Sequence, residues 1–197
     1  GRLPRGKNGP MHVCEVGEDF PIAKAFVEAA GQAGVPGNPD YNAGEQEGVG
    51  PYQVLQKQGR RWSTADGYLT PARQRPNLTV RSGAHVLRVN LEGGRCTGVS
   101  YRLADGSQHS ARAKAEVVLA AGAIQTPQLL ELSGIGRPEL LQAAGIPVQH
   151  ALAGVGENYI DHFCTRMNWR VKNTRTLNEM SRGLSLVKAV TQYGLTR

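Results

Sequence analysis

Asp161, His162 and Cys164 fall close together in YIDHFC. A carboxylate beside an imidazole suggests proton transfer, and an imidazole beside a thiol suggests a metal. Adjacent side chains on an extended chain point to opposite sides, so Asp161 and His162 are poorly placed to act as a dyad. A zinc site needs three or four ligands, and no third ligand lies near His162 and Cys164. No metal site is therefore expected. His12, His85, His109 and His150 are scattered and read as surface or strand-face residues. Cys14, Cys96 and Cys164 are odd in number, widely spaced and without a CxxC pair. They read as reduced thiols, in neither a disulfide framework nor a zinc site. Trp62 and Trp169 read as packing residues.

The most patterned stretch is GAIQTPQLLELSGIG, Gly122 to Gly136. Gly122 permits a sharp turn and a close approach, because it carries no Cβ. Thr126 is a suitable N-cap, with Pro127 at the favoured first helical position. Leu129, Leu130 and Leu132 pack the helix. Ser133 and Gly134 end it, Gly134 in the left-handed conformation. A second short helix is expected from Pro138 to Gly145. Strand, close-approach turn and helix together commonly place a ligand at the carboxyl end of the strand. The bland alternative is a tight turn with no ligand.

The surrounding elements must hold that turn. AEVVLAAGA leads into it as a continuously apolar run, which predicts a strand buried on both faces. Before it, LTVRS, AHVLRVNL, RCTGVSYRL and SQHSARA alternate with period two around the turn signals EGG and ADG, predicting an antiparallel meander. Leu87, Val89 and Leu91 share one face, as do Val99, Tyr101 and Leu103. Further upstream, DFPIAKAFVEAAGQAG predicts a helix capped by Asp19, with Pro21 in its first turn. Its apolar face is Ile22, Phe26, Ala29 and Ala30, and Gly34 ends it. VPGNPDYNAGEQEGVGP reads as a long loop. YQVLQKQGRRWS is amphipathic without a clear period. DGYLTPARQRPNLTV predicts a helix start and then a Pro-Asn turn.

The 197 residues carry 23 basic and 16 acidic side chains, a net charge of +7, and 40% of them are hydrophobic. That is a globular composition rather than a disordered one. From Phe163 onward there are seven basic residues and one acid, Glu179. The basic charges are spread out and lack an aromatic ladder between them, so no nucleic-acid partner is expected. No apolar run is long enough to cross a bilayer. A signal-peptide pattern is absent, and the polar start without Met suggests a chain that begins in mid-protein.

GAIQTPQLLELSGIG resembles the second signature of the glucose–methanol–choline family of flavoprotein oxidoreductases. Gly122, Ala123, Thr126, Pro127, Leu129, Leu130, Ser133, Gly134, Ile135 and Gly136 all comply with it. In family order, GRRWSTADGYLTPARQRPNLTV, AHVLRV and LAGVGENYIDH resemble further family stretches, with Ala153 and Tyr159 standing where Pro and Leu are usual. The end of the chain resembles the choline- and alcohol-dehydrogenase branch. The resemblance runs from about Gly9 onward and is strongest between Gly59 and His162.

The resemblance implies a mixed α/β (α+β) fold: part of an FAD-binding domain containing the meander, and part of a substrate-binding domain. Residues 1–58 would be a cap-like or substrate-domain-like segment, 59–155 part of the FAD domain, and 156–197 the start of the substrate domain. It implies FAD contacts at Val86, through its backbone to the adenine, and at Ala121, Gly122, Asn158, Asp161 and His162. It also implies a small alcohol as substrate. The reduced thiols point to a cytoplasmic location, with a membrane-peripheral one as the alternative for the intact enzyme. The electron acceptor is not readable.

The G-x-G-x-x-G dinucleotide fingerprint does not occur; GVGPYQ, GVGENY and GIGRPE each lack its third glycine. The family's catalytic histidine and its partner belong to a later region. No catalytic residue is therefore assigned to this chain, and an internal fragment without turnover is expected. A non-enzymatic module and a poorly folding remnant with exposed sheet edges stand as alternatives.

Overall fold

A computed structural model describes residues 6, 8–16 and 20–196. They form two compact units. Residues 80–166 make one, and the residues up to 79 together with those from 167 make the other.

The second of these units opens with β1 (Val13–Glu15), followed by α1 (Pro21–Gln32). Pro21 occupies the first turn of α1, as its fixed φ favours. Phe20 is the N-cap residue, and the expected Asp19 cap lies outside the described residues. Gly34, at φ +87°, closes the helix: its N–H donates to Gly31 O, and that of Val35 to Ala30 O. The predicted apolar face is present but uncovered, with Phe26 70% exposed.

The stretch of unclear period is a hairpin of β2 (Gln53–Lys57) and β3 (Arg60–Arg61). Its two turn residues, Gln58 and Gly59, both have positive φ, at 52° and 67°. That is the two-residue turn that suits strand twist. β1 pairs antiparallel with β2, Val13 opposite Leu55. The long loop is fastened by the Asn38 amide, which donates to Glu45 O and Glu47 O. A π-helical turn, Ala65–Leu69, then runs into α2 (Thr70–Ala72).

The 80–166 unit is built on β4 (His85–Glu92), β5 (Arg95–Arg102) and β6 (Gln108–Arg112), an antiparallel meander in that order. Val89 faces Val99, and Val99 faces Ala111. The β4–β5 register skips Leu87 on one strand and Thr97 on the other. Such bulges bend a strand and sharpen its twist.

After the meander come α3 (Gly122–Leu132), β7 (Ile135–Gly136), α4 (Pro138–Ala143) and β8 (His150–Ala151). β7 and β8 pair in parallel, Ile135 with His150. α4 ends as expected at Gly145, φ +70°, where the Ile146 N–H reaches Leu141 O and the Gly145 N–H reaches Gln142 O. The core is small: Val89, Leu129, Leu141 and Val155, with Leu141 fully enclosed. In the other unit, α5 (Leu177–Met180) and α6 (Gly183–Thr196) end the described chain. The Tyr193 hydroxyl of α6 donates to Gly59 O at 2.9 Å, tying that helix to the hairpin turn.

Two expected strands are not strands. LTVRS has no ladder partner among the described residues and runs as irregular chain before β4. AEVVLAAGA is also not a buried strand: residues 116–120 belong to no ladder, and Val118 is 78% exposed. A strand exists by pairing, and an apolar run without a partner among the described residues cannot form one.

Candidate functional site

The Gly122 turn initiates α3, and its geometry corrects the expected cap. The helix begins at Gly122, with Ala121 as N-cap, so Thr126 and Pro127 lie inside it. Gly122 takes φ +92°, open to glycine at little cost, and an added Cβ there would meet nothing within 4 Å. Thr126 still serves the helix start, from within: its Oγ1 accepts the Ala121 N–H at 3.1 Å. Pro127, midway along the helix, removes one N–H donor from its interior, and the 11-residue helix continues past it to Leu132.

The other end of the signature is locked in place. Ser133 is 7% exposed. Its Oγ donates to Leu129 O at 2.6 Å and accepts the Val89 N–H at 2.8 Å. The C-terminal end of α3 is thereby joined to the outer edge of β4. Gly134 is left-handed as expected, φ +80°, and a Cβ there would run into the Pro147 carbonyl oxygen. Gly136 and Gly156 make room for Glu131: an added Cβ would lie 3.3 Å from its Cγ and 2.9 Å from its Oε1, respectively. The turn that follows is held by buried Val155 and by an Arg137–Glu157 ion pair at 3.1 Å.

Of the residues that the resemblance points to, Val86 lies on β4 and is 37% exposed. Ala121 and Gly122 are exposed at the start of α3. Asn158 has a left-handed backbone, φ 59°, which asparagine tolerates better than most residues. Asp161 and His162 are exposed on irregular chain. The structure joins β4 to α3 through Ser133, but no hydrogen bond or ion pair among the described residues ties Asn158, Asp161 or His162 to Val86 or Gly122. No group of His, Cys, Asp or Glu able to hold a metal occurs among the described residues. Cys14, Cys96 and Cys164 are free thiols. No helix is long and apolar enough to cross a membrane, among the described residues.

A cavity of about 530 Å³ opens beside the locked end. Its floor is a polar face of the meander, with Arg88, Ser100 and Ser110 in one row. Asn90 bridges that floor, accepting from the Ser100 hydroxyl at 2.8 Å and donating to that of Ser110 at 3.3 Å. Ser133, Gly134 and Pro147 form its wall.

Proteins of known kind resemble this chain over most of its length. The model of the GMC oxidoreductase family matches residues 4–164. The chain belongs to the GMC oxidoreductase family. Mitochondrial choline dehydrogenase of Mus musculus is 46% identical over 158 residues, covering 80% of this chain and 26% of that protein. Oxygen-dependent choline dehydrogenase of Chromohalobacter salexigens is 43% identical over 175 residues, covering 87% of this chain and 31% of that protein. This GMC chain therefore spans about a quarter to a third of the length of the curated relatives it matches. Among solved structures, pyridoxine 4-oxidase from Mesorbium loti superposes with a TM-score of 0.70 at 37% identity, over 75% of this chain and 29% of that one. An FAD-dependent oxidoreductase from Chaetomium thermophilum gives 0.73 at 31% identity, over 76% and 26%. The mixed helix-and-strand architecture is that of these GMC neighbours.

Two roles escaped the sequence reading. Ser133 is more than a helix terminator, and Thr126 caps from within. A small hydroxyl residue directly after the apolar run LLEL was the available signal for Ser133. A buried hydroxyl must find hydrogen-bond partners, and the preceding helix supplies only one of the two it has here.

Proposed function

We propose that this chain supplies part of the FAD-binding domain, with the start of the substrate-binding domain, of an oxidoreductase that oxidises the CH–OH group of an alcohol. A choline-like alcohol is the favoured substrate, after the names of its relatives. The observation that carries the reading is the Gly122 turn: a left-handed glycine, with open space beyond it, at the head of an 11-residue helix. A helix start presents backbone N–H groups and partial positive charge, which fits an electron-rich or anionic part of a cofactor. The residues present thus fit a portion of FAD.

In this reading Ala121 and Gly122 let the cofactor approach the backbone, and the Val86 backbone receives its adenine. Asn158, Asp161 and His162 contribute to the cofactor's surroundings from the later segment. The boundaries 1–58, 59–155 and 156–197 remain our division into cap-like, FAD-domain and substrate-domain parts. When bound, FAD supplies the hydride acceptor. Without a dinucleotide fingerprint or an assignable base, these 197 residues alone are expected to give no turnover. Free thiols favour a reducing compartment such as the cytoplasm.

The test is a hybrid enzyme. The matching segment of the Chromohalobacter salexigens choline dehydrogenase is replaced by this chain. The expected hybrid purifies with a flavin spectrum that choline bleaches anaerobically, so that the electron acceptor does not matter. A folded hybrid without bound flavin would overturn the reading.

A further inference from the structure

We propose that Ser133 is a positioning residue: its hydroxyl fastens β4 to α3, so that the strand bearing Val86 and the helix headed by Gly122 move as one body. The site stands on three observations. Val89 lies on the outer strand of the meander, and its N–H turns away from β5 to meet Ser133 Oγ at 2.8 Å. The same oxygen donates back to Leu129 O at 2.6 Å, so its lone pair is aimed at the strand by the helix itself. Both partners are buried, Ser133 at 7% and Val89 at 6% exposure, so water does not compete for the bond.

An outer strand normally presents its unpaired amides to solvent. Here one of those amides is consumed by a side chain, at a point where α3 lies against β4. Gly134 reinforces the fit: with the Pro147 carbonyl oxygen where its Cβ would be, the chain after Ser133 has little freedom to shift. The purpose of the fastening rests on the proposed function, in which Val86 and Gly122 touch two parts of one extended cofactor. The fastening itself does not depend on FAD being bound.

The experiment is amide exchange and residual dipolar couplings on the full chain, as wild type, Ser133→Ala and Ser133→Thr. In Ser133→Ala the Val89 amide is expected to exchange about tenfold faster, the size of one lost hydrogen bond, while β5–β6 amides keep their rates. Couplings from β4 and α3 should fit one alignment tensor in wild type and two in Ser133→Ala, with Ser133→Thr restoring the single fit. Unchanged Val89 exchange in Ser133→Ala, or equal acceleration at every amide, would overturn the proposal. If Ser133→Ala fails to fold, the wild type decides alone: two tensors for β4 and α3 would overturn it, and one tensor with a protected Val89 amide would support it. A hybrid enzyme lacking flavin, alongside a normal Val89 result, would instead remove the FAD reading and leave the fastening in place.

Discussion

Gly134 sits against Pro147 so closely that a single added carbon would collide with the proline carbonyl oxygen. Its φ of +80° adds a second constraint, since side chains rarely accept that region. Space and conformation therefore both demand glycine. Gly134→Ala is expected to cost about 2–3 kcal/mol in the 80–166 unit, where a strained backbone alone costs roughly 1–3. Urea unfolding followed by circular dichroism measures it. A loss below about 0.5 kcal/mol would mean that the loop at Pro147 yields freely.

Gly122 separates those two constraints. It is left-handed at φ +92°, yet nothing lies within 4 Å of where a Cβ would project. Gly122→Ala should therefore cost only the conformational term, roughly 1 kcal/mol. Its effect on flavin binding should be larger, because the methyl would occupy the space through which the cofactor approaches. In the hybrid enzyme the variant should lose bound flavin while melting within a few degrees of its parent. Equal flavin content in both would argue against contact at this turn.

The Asp66 carboxylate accepts from the Ser63 hydroxyl at 2.5 Å and from the Ser63 N–H at 2.9 Å. Those hydrogen bonds, the hydroxyl's first, hold its pKa below the ordinary aspartate value, with Arg60 adding a small pull in the same direction. A depressed pKa means that the stabilising contribution is complete above the unfolded value, near 3.9. It is lost as pH falls through the folded value. The stability gap between wild type and Asp66→Asn should accordingly be constant from pH 7 to 5 and narrow below about pH 3.9. Thermal melts at pH 7, 5 and 3 give the comparison; a gap independent of pH would show that the charge contributes nothing.

Local signals in the sequence mapped well onto structure where the partner was near in the chain. The left-handed ends at Gly34, Gly134 and Gly145 and the Pro138 helix depend on neighbours within a few residues, and the meander on strands that follow one another directly in the chain. The hairpin at Gln58–Gly59 was hidden because its turn carries Gln where Asn or Asp is the usual signal. The start of α3 was misplaced by five residues, since Thr126-Pro127 imitates a cap that Ala121 holds. Of the candidate site, the glycine turn was legible and the Ser133 bond was not. That bond spans 44 residues of sequence, and no periodicity encodes it.

The same distinction governs residues 116–120. A continuous apolar run gave them the look of a central strand, and pairing is what they lack. Val118, 78% exposed, contributes little to the folded chain as it stands. Val118→Asp should change the unfolding free energy by no more than about 0.5 kcal/mol, the range of ordinary surface substitutions. It should also reduce association of the isolated chain, because an unpaired apolar strand with a charge in its middle is a poorer template for a second chain. In the hybrid enzyme, with the remaining segments of the relative supplied, the same substitution should prevent folding if those segments bury the run on both faces, since an unpaired buried charge costs several kcal/mol. Light scattering and urea unfolding of the chain, beside the soluble yield of the hybrid, test both halves. A soluble, flavin-bearing Val118→Asp hybrid would mean that this run stays at the surface even in the larger protein.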